Sequence, residues 1–133
     1  MGMAFARAFL KFNLVKNEDF LLVEKSEDRL DSLASFKLGI IRGVISEEIS
    51  QYDLIILSIK PQDFSTVSLA LKTFIQPNQV VLSIMAGITI ANIQAGLNHQ
   101  SVIRAMPNTP AMLGMGITAY AASAAVEKNQ LRK

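Results

Sequence analysis

Several residue types that support common protein functions are absent or scarce in this chain. It contains no cysteine and no tryptophan, and its only histidine is His99. The lack of cysteine excludes a disulfide framework and a thiolate metal site, and it favours a cytoplasmic location. A single histidine also excludes a histidine cluster for a metal. No apolar stretch approaches the roughly 18 residues of a membrane span. We therefore expect no bound metal and no membrane partner.

Charge is also scarce, and it is evenly spread. The formal net charge of the 133 residues is +2, and the lysines and arginines are scattered, which does not favour nucleic acid as a partner. The first residues lack the charged, apolar and cleavage regions of a signal peptide. Half of the residues are hydrophobic and 18% are charged, which is typical of one globular domain.

The hydrophobic pattern predicts alternating strands and helices. Short apolar runs are separated by segments with apolar residues at helical spacing. This alternation is typical of an α/β fold with a mostly parallel sheet and helices on both faces. The predicted strands are residues 20–24, 38–41, 53–59, 79–84, 102–106 and 117–122. The predicted helices are residues 3–14, 26–36, 46–52, 63–75, 89–97 and 125–133, with Ser26, Ser46 and Thr89 as their expected N-caps.

Three sharp turns follow three consecutive predicted strands. Small residues and prolines there allow a backbone to approach a ligand closely. Because the carboxyl ends of parallel strands meet at one edge of a sheet, where ligands bind in open α/β folds, we predict a ligand cleft at this edge. The turns are Ser58-Ile59-Lys60-Pro61, Ser83-Ile84-Met85-Ala86-Gly87 and Met106-Pro107-Asn108-Thr109-Pro110.

The amino end adds a fourth feature. Gly2 in the first turn of a predicted helix resembles the last glycine of G-x-G-x-x-G, although the preceding strand and the two earlier glycines are absent. Glu24 ends the next predicted strand 22 residues later, near the roughly 20-residue spacing of an acid that binds a ribose. Lys25 and Ser26 could instead hold a 2′-phosphate. The alternative is that Glu24 and Lys25 are solvated charges at a strand end.

The remaining candidate residues give weaker evidence for a functional role. Lys60 beside a proline is interpreted as an exposed or ligand-orienting cation rather than a covalent catalyst. His99 follows a helix end at Asn98, where a cation suits the helix dipole, and we expect it at the surface. The six methionines are expected to fill the core. No Ser-His-Asp set and no pair of carboxylates placed for acid–base chemistry is present.

At these residues the chain resembles the amino-terminal domain of the pyrroline-5-carboxylate reductase family. The family motif A-V-K-P-Q is matched by residues 58–62, and S-x-A-A-G is matched by residues 83–87. The motif R-x-M-P-N-T-P-A is intact in residues 104–111 and is followed by Gly114, Gly116 and Thr118. Order and spacing agree over essentially the whole chain.

The resemblance implies a Rossmann-like doubly wound fold and hydride transfer from NADPH or NADH. The substrate would be 1-pyrroline-5-carboxylate, whose C=N bond is reduced to give proline, and the whole protein would be a homo-oligomer. Gly2 would pack the first helix against the pyrophosphate strand, and Lys25 and Ser26 would meet the adenosine ribose or its phosphate. The implied cofactor-binding residues are Gly2, Met3, Glu24, Lys25, Ser26, Ser58, Ile59, Lys60, Pro61, Ile84, Met85 and Ala86, and the implied reaction-site residues are Asn108 and Thr109.

The chain also departs from the family pattern. The family begins with a strand and G-x-G-x ahead of the position of Met1, and it carries a helical carboxyl-terminal dimerisation domain. Residues 1–133 would therefore be an incomplete NAD(P)-binding domain with two unpaired strand edges and no reductase activity alone. Met85 replaces a small residue near the nicotinamide and could crowd it.

Three alternatives stay open at this point. The chain could be another Rossmann dehydrogenase that acts on a small carboxylic acid, although M-P-N-T-P argues against it. It could be a non-catalytic nucleotide-binding or interaction module, which the missing first strand favours. Translation of the natural protein could also start upstream of Met1.

Overall fold

The computed structural model describes residues 2–108 and 116–132, which fall into two compact units divided after Ser46. The first unit contains α1 (Gly2–Lys11), β1 (Leu21–Val23), α2 (Glu27–Ser35) and β2 (Ile40–Arg42). The second contains β3 (Leu54–Leu57), α3 (Phe64–Leu71), β4 (Val80–Ser83), α4 (Ile90–Leu97), β5 (Val102–Pro107) and β6 (Thr118–Ala122). Short 3₁₀ helices lie at Asn17–Asp19, Glu47–Gln51, Pro61–Asp63 and Gln130–Arg132.

Helix α1 ends three residues before the predicted limit because the backbone turns at Asn13. Asn13 has a φ of 54°, a left-handed conformation that asparagine tolerates better than most residues. Its N–H donates to the Leu10 carbonyl at 3.2 Å, and the Leu14 N–H donates to the Phe9 carbonyl at 2.9 Å. This pair of bonds is a Schellman motif, which satisfies the last carbonyls of the helix and stops it.

Strands β1 and β2 form a parallel two-stranded sheet, with Leu21 opposite Ile40. Gly39 precedes β2 with a φ of 69°, and a Cβ atom at that position would collide with the Phe20 carbonyl oxygen. Only glycine meets both constraints, so it fixes the entry to β2. The strands are half-buried or exposed rather than fully buried.

The second unit has a four-stranded sheet in the order β3-β4-β5-β6. The first three strands are parallel, with Leu57 opposite Ser83 and Ser83 opposite Arg104. Strand β6 is antiparallel to β5, since the connection between them is too short for a parallel crossover. The mostly parallel sheet predicted from the sequence is confirmed.

Strands β1 and β3 each have one edge without a partner within the described ranges. Strand β1 pairs only with β2, and β3 pairs only with β4. These pairings confirm the expectation that two strand edges would be unpaired.

The core of the second unit lies between its sheet and the helices α3 and α4. Gly96 allows these helices to meet, because a Cβ atom there would lie 2.9 Å from the Phe64 ring. Such an approach is closer than packed side chains permit. The most buried large side chains of this core are Leu71, Val81, Met85, Ile93, Leu97 and Val102.

The chain after β6 does not form the predicted helix over residues 125–133. The structure has turns and the 3₁₀ helix Gln130–Arg132 there, with most side chains exposed. A short helix without a buried face is unstable in water, which explains the difference. None of the helices in the described ranges is long and apolar enough to cross a lipid bilayer.

Candidate functional site

The carboxyl edge of the parallel strands β3, β4 and β5 brings two of the predicted turns together. The register places Leu57 opposite Ser83, so Ser58 and Ile84 follow at the same level on neighbouring strands, about 4.8 Å apart. The Ile84 N–H donates to the Leu57 carbonyl at 3.1 Å and so continues the ladder beyond the strand. The predicted meeting of these turns at one sheet edge is confirmed.

The turn after β3 presents an exposed cation. Lys60 has an extended backbone, with φ −71° and ψ 144°, as a residue before proline prefers. Its carbonyl accepts the Asp63 N–H at 2.9 Å, and Pro61 opens the 3₁₀ helix that leads into α3. Ser58, Lys60 and Pro61 are exposed, while Ile59 is half-buried. This turn can therefore offer an ammonium group and a short rigid backbone to a ligand.

The turn after β4 corrects one expectation. The Ser83 hydroxyl is buried and accepts the Met85 N–H at 3.3 Å. This bond turns the backbone so that the Met85 side chain lies in the core, where it is 1% exposed. Met85 therefore cannot crowd a ligand at the sheet edge with its side chain. Ile84 is half-buried and Ala86 is exposed, so these two residues remain available there.

Asn108 lies beyond the other strand ends. Because Ser83 is opposite Arg104, Ala105 is level with Ile84, and Asn108 extends about 10 Å further at 3.3 Å per residue. Its side-chain oxygen accepts the Ile117 N–H at 3.1 Å, which ties together the two ends of the β5–β6 connection. Asn108 is exposed. Thr109, the other predicted reaction-site residue, lies outside the described residues.

In the first unit, α1 starts with Gly2 and Met3, both of which are half-buried. Its first turn contains no acidic side chain. The unpaired N–H groups and the dipole at a helix start attract anions. This end of α1 can therefore accommodate an anionic group.

Glu24 is held in place at the end of β1. Its N–H donates to the Arg42 carbonyl at 3.0 Å, and its Oε1 accepts the Ser26 N–H at 3.0 Å. Its Oε2 lies 3.6 Å from Nη1 of Arg29, and the side chain is only 23% exposed. Glu24 is therefore not a solvated strand-end charge. Its carboxylate is oriented before any ligand arrives, while Lys25 beside it is exposed.

Ser26 is the N-cap of α2 by position, but its hydroxyl forms no capping bond. The Ser26 carbonyl accepts the Arg29 N–H at 3.1 Å and the Leu30 N–H at 2.9 Å, as the start of a helix requires. The predicted side-chain cap is wrong, because the Ser26 hydroxyl accepts no backbone N–H from the first turn of α2. At α4, by contrast, Thr89 Oγ1 accepts the Asn92 N–H at 3.2 Å, and the predicted cap is confirmed.

The prediction that His99 lies at the surface is wrong. His99 is 5% exposed, and its Nε2 lies 2.8 Å from the Gln79 carbonyl oxygen. A carbonyl can only accept, so Nε2 donates in this bond. The left-handed Asn98, with φ 50°, ends α4 and turns the chain so that His99 points inward.

Gln79 is the polar residue that sequence reasoning missed. It is fully buried just before β4. Its Nε2 donates to the carbonyls of Ile49 and Tyr52, and its Oε1 accepts the Gln76 N–H at 2.7 Å. Nothing in the local pattern marks this glutamine, since the carbonyls that it bonds belong to Ile49 and Tyr52, 30 and 27 residues away. Its hydrogen bonds lie at the amino edge of the sheet, and the candidate site lies at the opposite edge.

A cavity of about 290 Å³ also lies at the amino edge of the sheet. It is lined by Lys72, Ile75, Pro77, Leu97, Asn98, His99 and Gln100. In parallel sheets ligands bind at the carboxyl edge, so the candidate site is assigned to the turns after β3, β4 and β5. Across residues 2–108 and 116–132, no group of three metal-ligating side chains occurs.

The chain is similar in sequence to known oxidoreductases. Residues 1–87 match the family model described as NADP oxidoreductase, coenzyme F420-dependent. The chain is 34% identical over 124 residues to pyrroline-5-carboxylate reductase 1 of Bacillus spizizenii, covering 91% of this chain and 41% of that protein. It is 42% identical over 81 residues to pyrroline-5-carboxylate reductase of Synechocystis, covering 61% and 30% respectively.

A solved structure matches the whole fold. The pyrroline-5-carboxylate reductase of Coxiella burnetii aligns with a TM-score of 0.89 and 23% identity, over 98% of this chain and 49% of that one. This likeness establishes the Rossmann-like α/β fold. The chain spans less than half the length of these relatives.

Proposed function

Because the chain belongs to the family described as NADP oxidoreductase, coenzyme F420-dependent, we propose that it is the nucleotide-binding part of a pyrroline-5-carboxylate reductase. The reaction reduces the C=N bond of 1-pyrroline-5-carboxylate to give L-proline. A hydride adds to the carbon, and the nitrogen carries the proton that makes this carbon electrophilic. The protein then has mainly to bind and orient the two reactants. Relatives that are 34% and 42% identical and bear this name support the proposal.

The observation that carries the proposal is the alignment of Ser58 and Ile84 at one sheet edge, with Asn108 extending beyond them. A bound nicotinamide would supply the hydride. Ser58, Ile59, Lys60 and Pro61 would line one side of it. Ile84 and Ala86 would line the other side with their side chains, whereas Met85 would contribute only backbone atoms. Asn108 and Thr109 would border the substrate.

The first unit would hold the adenosine half of the cofactor. Gly2 and Met3 would place helix N–H groups against the pyrophosphate. Glu24 would accept a ribose hydroxyl with its pre-oriented carboxylate, or Lys25 and the uncommitted Ser26 hydroxyl would hold a 2′-phosphate. The first arrangement favours NADH and the second favours NADPH, since a carboxylate repels a phosphate.

The surroundings of this enzyme are proposed on the same basis. The absence of cysteine supports a cytoplasmic location. The resemblance to the reductase family supports a homo-oligomeric whole protein, with 1-pyrroline-5-carboxylate as its small-molecule substrate.

A titration of the purified chain with NADPH and NADH, followed by nicotinamide fluorescence, tests cofactor binding. We expect saturable binding that Lys60→Ala weakens. Lys72→Ala is the matched control, because Lys72 is also exposed but lies at the opposite edge of the same unit. Equal binding by both variants would contradict the proposed site, and no binding by a folded chain would contradict the nucleotide-binding role.

The identity of the substrate needs a separate measurement. We expect the natural protein that contains this chain to oxidise NADPH or NADH when 1-pyrroline-5-carboxylate is added. A 2-oxo acid of similar size is the control for the alternative dehydrogenase. Oxidation with the oxo acid but not with the imine would overturn the assignment to proline formation while leaving the cofactor site intact.

A further inference from the structure

Arg104 is the residue of the R-x-M-P-N-T-P-A motif to which the proposed reaction gives no role. It lies on β5, opposite Ser83 of β4 on one side and opposite Ala121 of β6 on the other. Residues directly opposite each other in an antiparallel pair share one face of the sheet. Arg104 therefore shares its face with Ala121 and, two residues further along β5, with Met106 and Ala119.

The guanidinium of Arg104 is not satisfied by the described part of the chain. Its Nε is buried without a hydrogen-bond partner. Its Nη2 has only the sulfur of Met106, at 3.6 Å, and a thioether is a weak acceptor. No ion pair with Arg104 is formed by residues 2–108 and 116–132. Leaving the buried Nε donor without a partner costs free energy, and native proteins usually satisfy such a donor. The Nη2 atom is exposed, so a ligand can reach the guanidinium from solvent.

The space beside this guanidinium is a small cleft. It has a volume of about 200 Å³ and is lined by Arg104, Met106, Ala119, Tyr120 and Ala121. The alanine walls are exposed and their side chains carry no polar atom. Apart from the Tyr120 hydroxyl, Arg104 supplies the only side-chain donors of this lining. The cleft can therefore satisfy a ligand with two acceptor oxygens and an apolar remainder.

We propose that the cleft between β5 and β6 binds a carboxylate through the Arg104 guanidinium. The fork of N–H donors in arginine matches the two oxygens of a carboxylate in a bidentate geometry. A phosphate would bring additional oxygens for which the lining offers few donors. The carboxylate belongs either to a small molecule or to an acidic side chain of a protein segment, and both sources present the same group to Arg104.

The test uses the ¹⁵N-labelled 133-residue chain and the Nε–Hε NMR signals of its arginines. The signal that disappears in Arg104→Lys identifies Arg104. The chain is titrated with L-proline and with a capped peptide that contains one glutamate, and sodium chloride at equal ionic strength is the control. Saturation by L-proline identifies a small-molecule site, and saturation by the peptide alone identifies a protein carboxylate. Either outcome supports the proposal.

Two variants separate binding from folding. Arg104→Lys keeps the charge and loses the fork, so we expect about tenfold weaker carboxylate binding with an unchanged unfolding midpoint. Arg104→Met removes the unpaired group, and we expect its unfolding midpoint to be equal or higher. The proposal is overturned if neither carboxylate saturates the signal, if chloride reproduces the shift, or if Arg104→Lys binds as tightly as the natural chain. Because no nicotinamide is present, a failure here is distinct from a failure of the cofactor titration.

Discussion

The two edges of the four-stranded sheet differ in how they treat polar groups. At the amino edge, Gln79 and His99 are buried and bonded to backbone carbonyls. At the carboxyl edge, Ser58, Lys60 and Asn108 are exposed. A buried hydrogen-bonded group cannot be removed without leaving its partners unsatisfied. The buried polar groups at the amino edge therefore stabilise the unit, whereas the exposed polar groups at the carboxyl edge are accessible to a ligand.

One buried polar group without a hydrogen-bond partner lies toward the carboxyl side of the same sheet. Arg104 is the only residue of the described chain with a buried side-chain polar atom that lacks a partner. The side-chain amide of Gln79, by contrast, reaches two carbonyls and accepts one N–H. Buried polar groups that stabilise a fold have hydrogen-bond partners within it. A buried polar group without a partner is expected where the protein binds another molecule.

The largest effect is expected for Gln79→Leu. The substitution leaves two carbonyls and one N–H without their partner, so we expect a loss of about 3 kcal/mol in the free energy of unfolding. Urea denaturation followed by circular dichroism measures this loss. Gln62→Leu is the matched control, because Gln62 is exposed at the carboxyl edge. A similar loss in both variants would break the contrast between the edges.

His99→Leu is expected to have the second largest effect. It keeps most of the buried volume but leaves the Gln79 carbonyl unpaired, at a cost of about 1–2 kcal/mol. The same denaturation measurement applies, with the exposed neighbour changed in Gln100→Leu as the control. If His99→Leu were as stable as the natural chain, the bond from Nε2 would not contribute to the amino edge.

The two N-caps provide a smaller and sharper comparison. Thr89→Ala removes the bond to the Asn92 N–H, and we expect a loss of about 1 kcal/mol. Ser26→Ala removes a hydroxyl that makes no capping bond, and we expect the free energy of unfolding to change by less than about 0.5 kcal/mol. Thermal or urea unfolding measures both. A larger loss in Ser26→Ala would show that its hydroxyl does cap α2.

The smallest effect on stability is expected at Asn108. Asn108→Ala removes one exposed hydrogen bond to the Ile117 N–H, with a loss of about 0.5 kcal/mol. Asn108→Asp keeps the acceptor oxygen and should restore this stability. Urea unfolding compares the two variants. A loss above about 2 kcal/mol for Asn108→Ala would show that Asn108 stabilises the fold as Gln79 and His99 do.

Much of the fold followed from local sequence patterns. The apolar runs predicted all six strands. Burial explains this for β4, whose side chains are mostly buried and therefore apolar, but not for β6, which is exposed along its length. The Thr89 cap was predicted because the bond joins residues three apart. The Ser26 side-chain cap did not form, and the side chain that bonds to the backbone at this turn is instead Glu24, whose Oε1 accepts the Ser26 N–H. The helix predicted after β6 failed because no tertiary partner buries one of its faces.

The candidate site could be predicted only in part. The positions of Ser58, Ile84 and Asn108 followed from their place after parallel strands, since strand direction alone brings such residues to one edge. The orientation of Met85 did not follow, because it depends on the bond between its N–H and the Ser83 hydroxyl. A side chain after a strand can turn inward or outward, and packing decides which.

The sequence by itself determined the order of elements, the mostly parallel arrangement of the strands and the sheet edge that carries the turns. These features depend on residue periodicity and chain direction, which are local. Only the tertiary structure decided that His99 and Gln79 are buried, and that Arg104 Nε is buried without a partner among the described residues. Each of these depends on groups distant in sequence, whose hydrogen bonds and desolvation are settled only when the chain is packed.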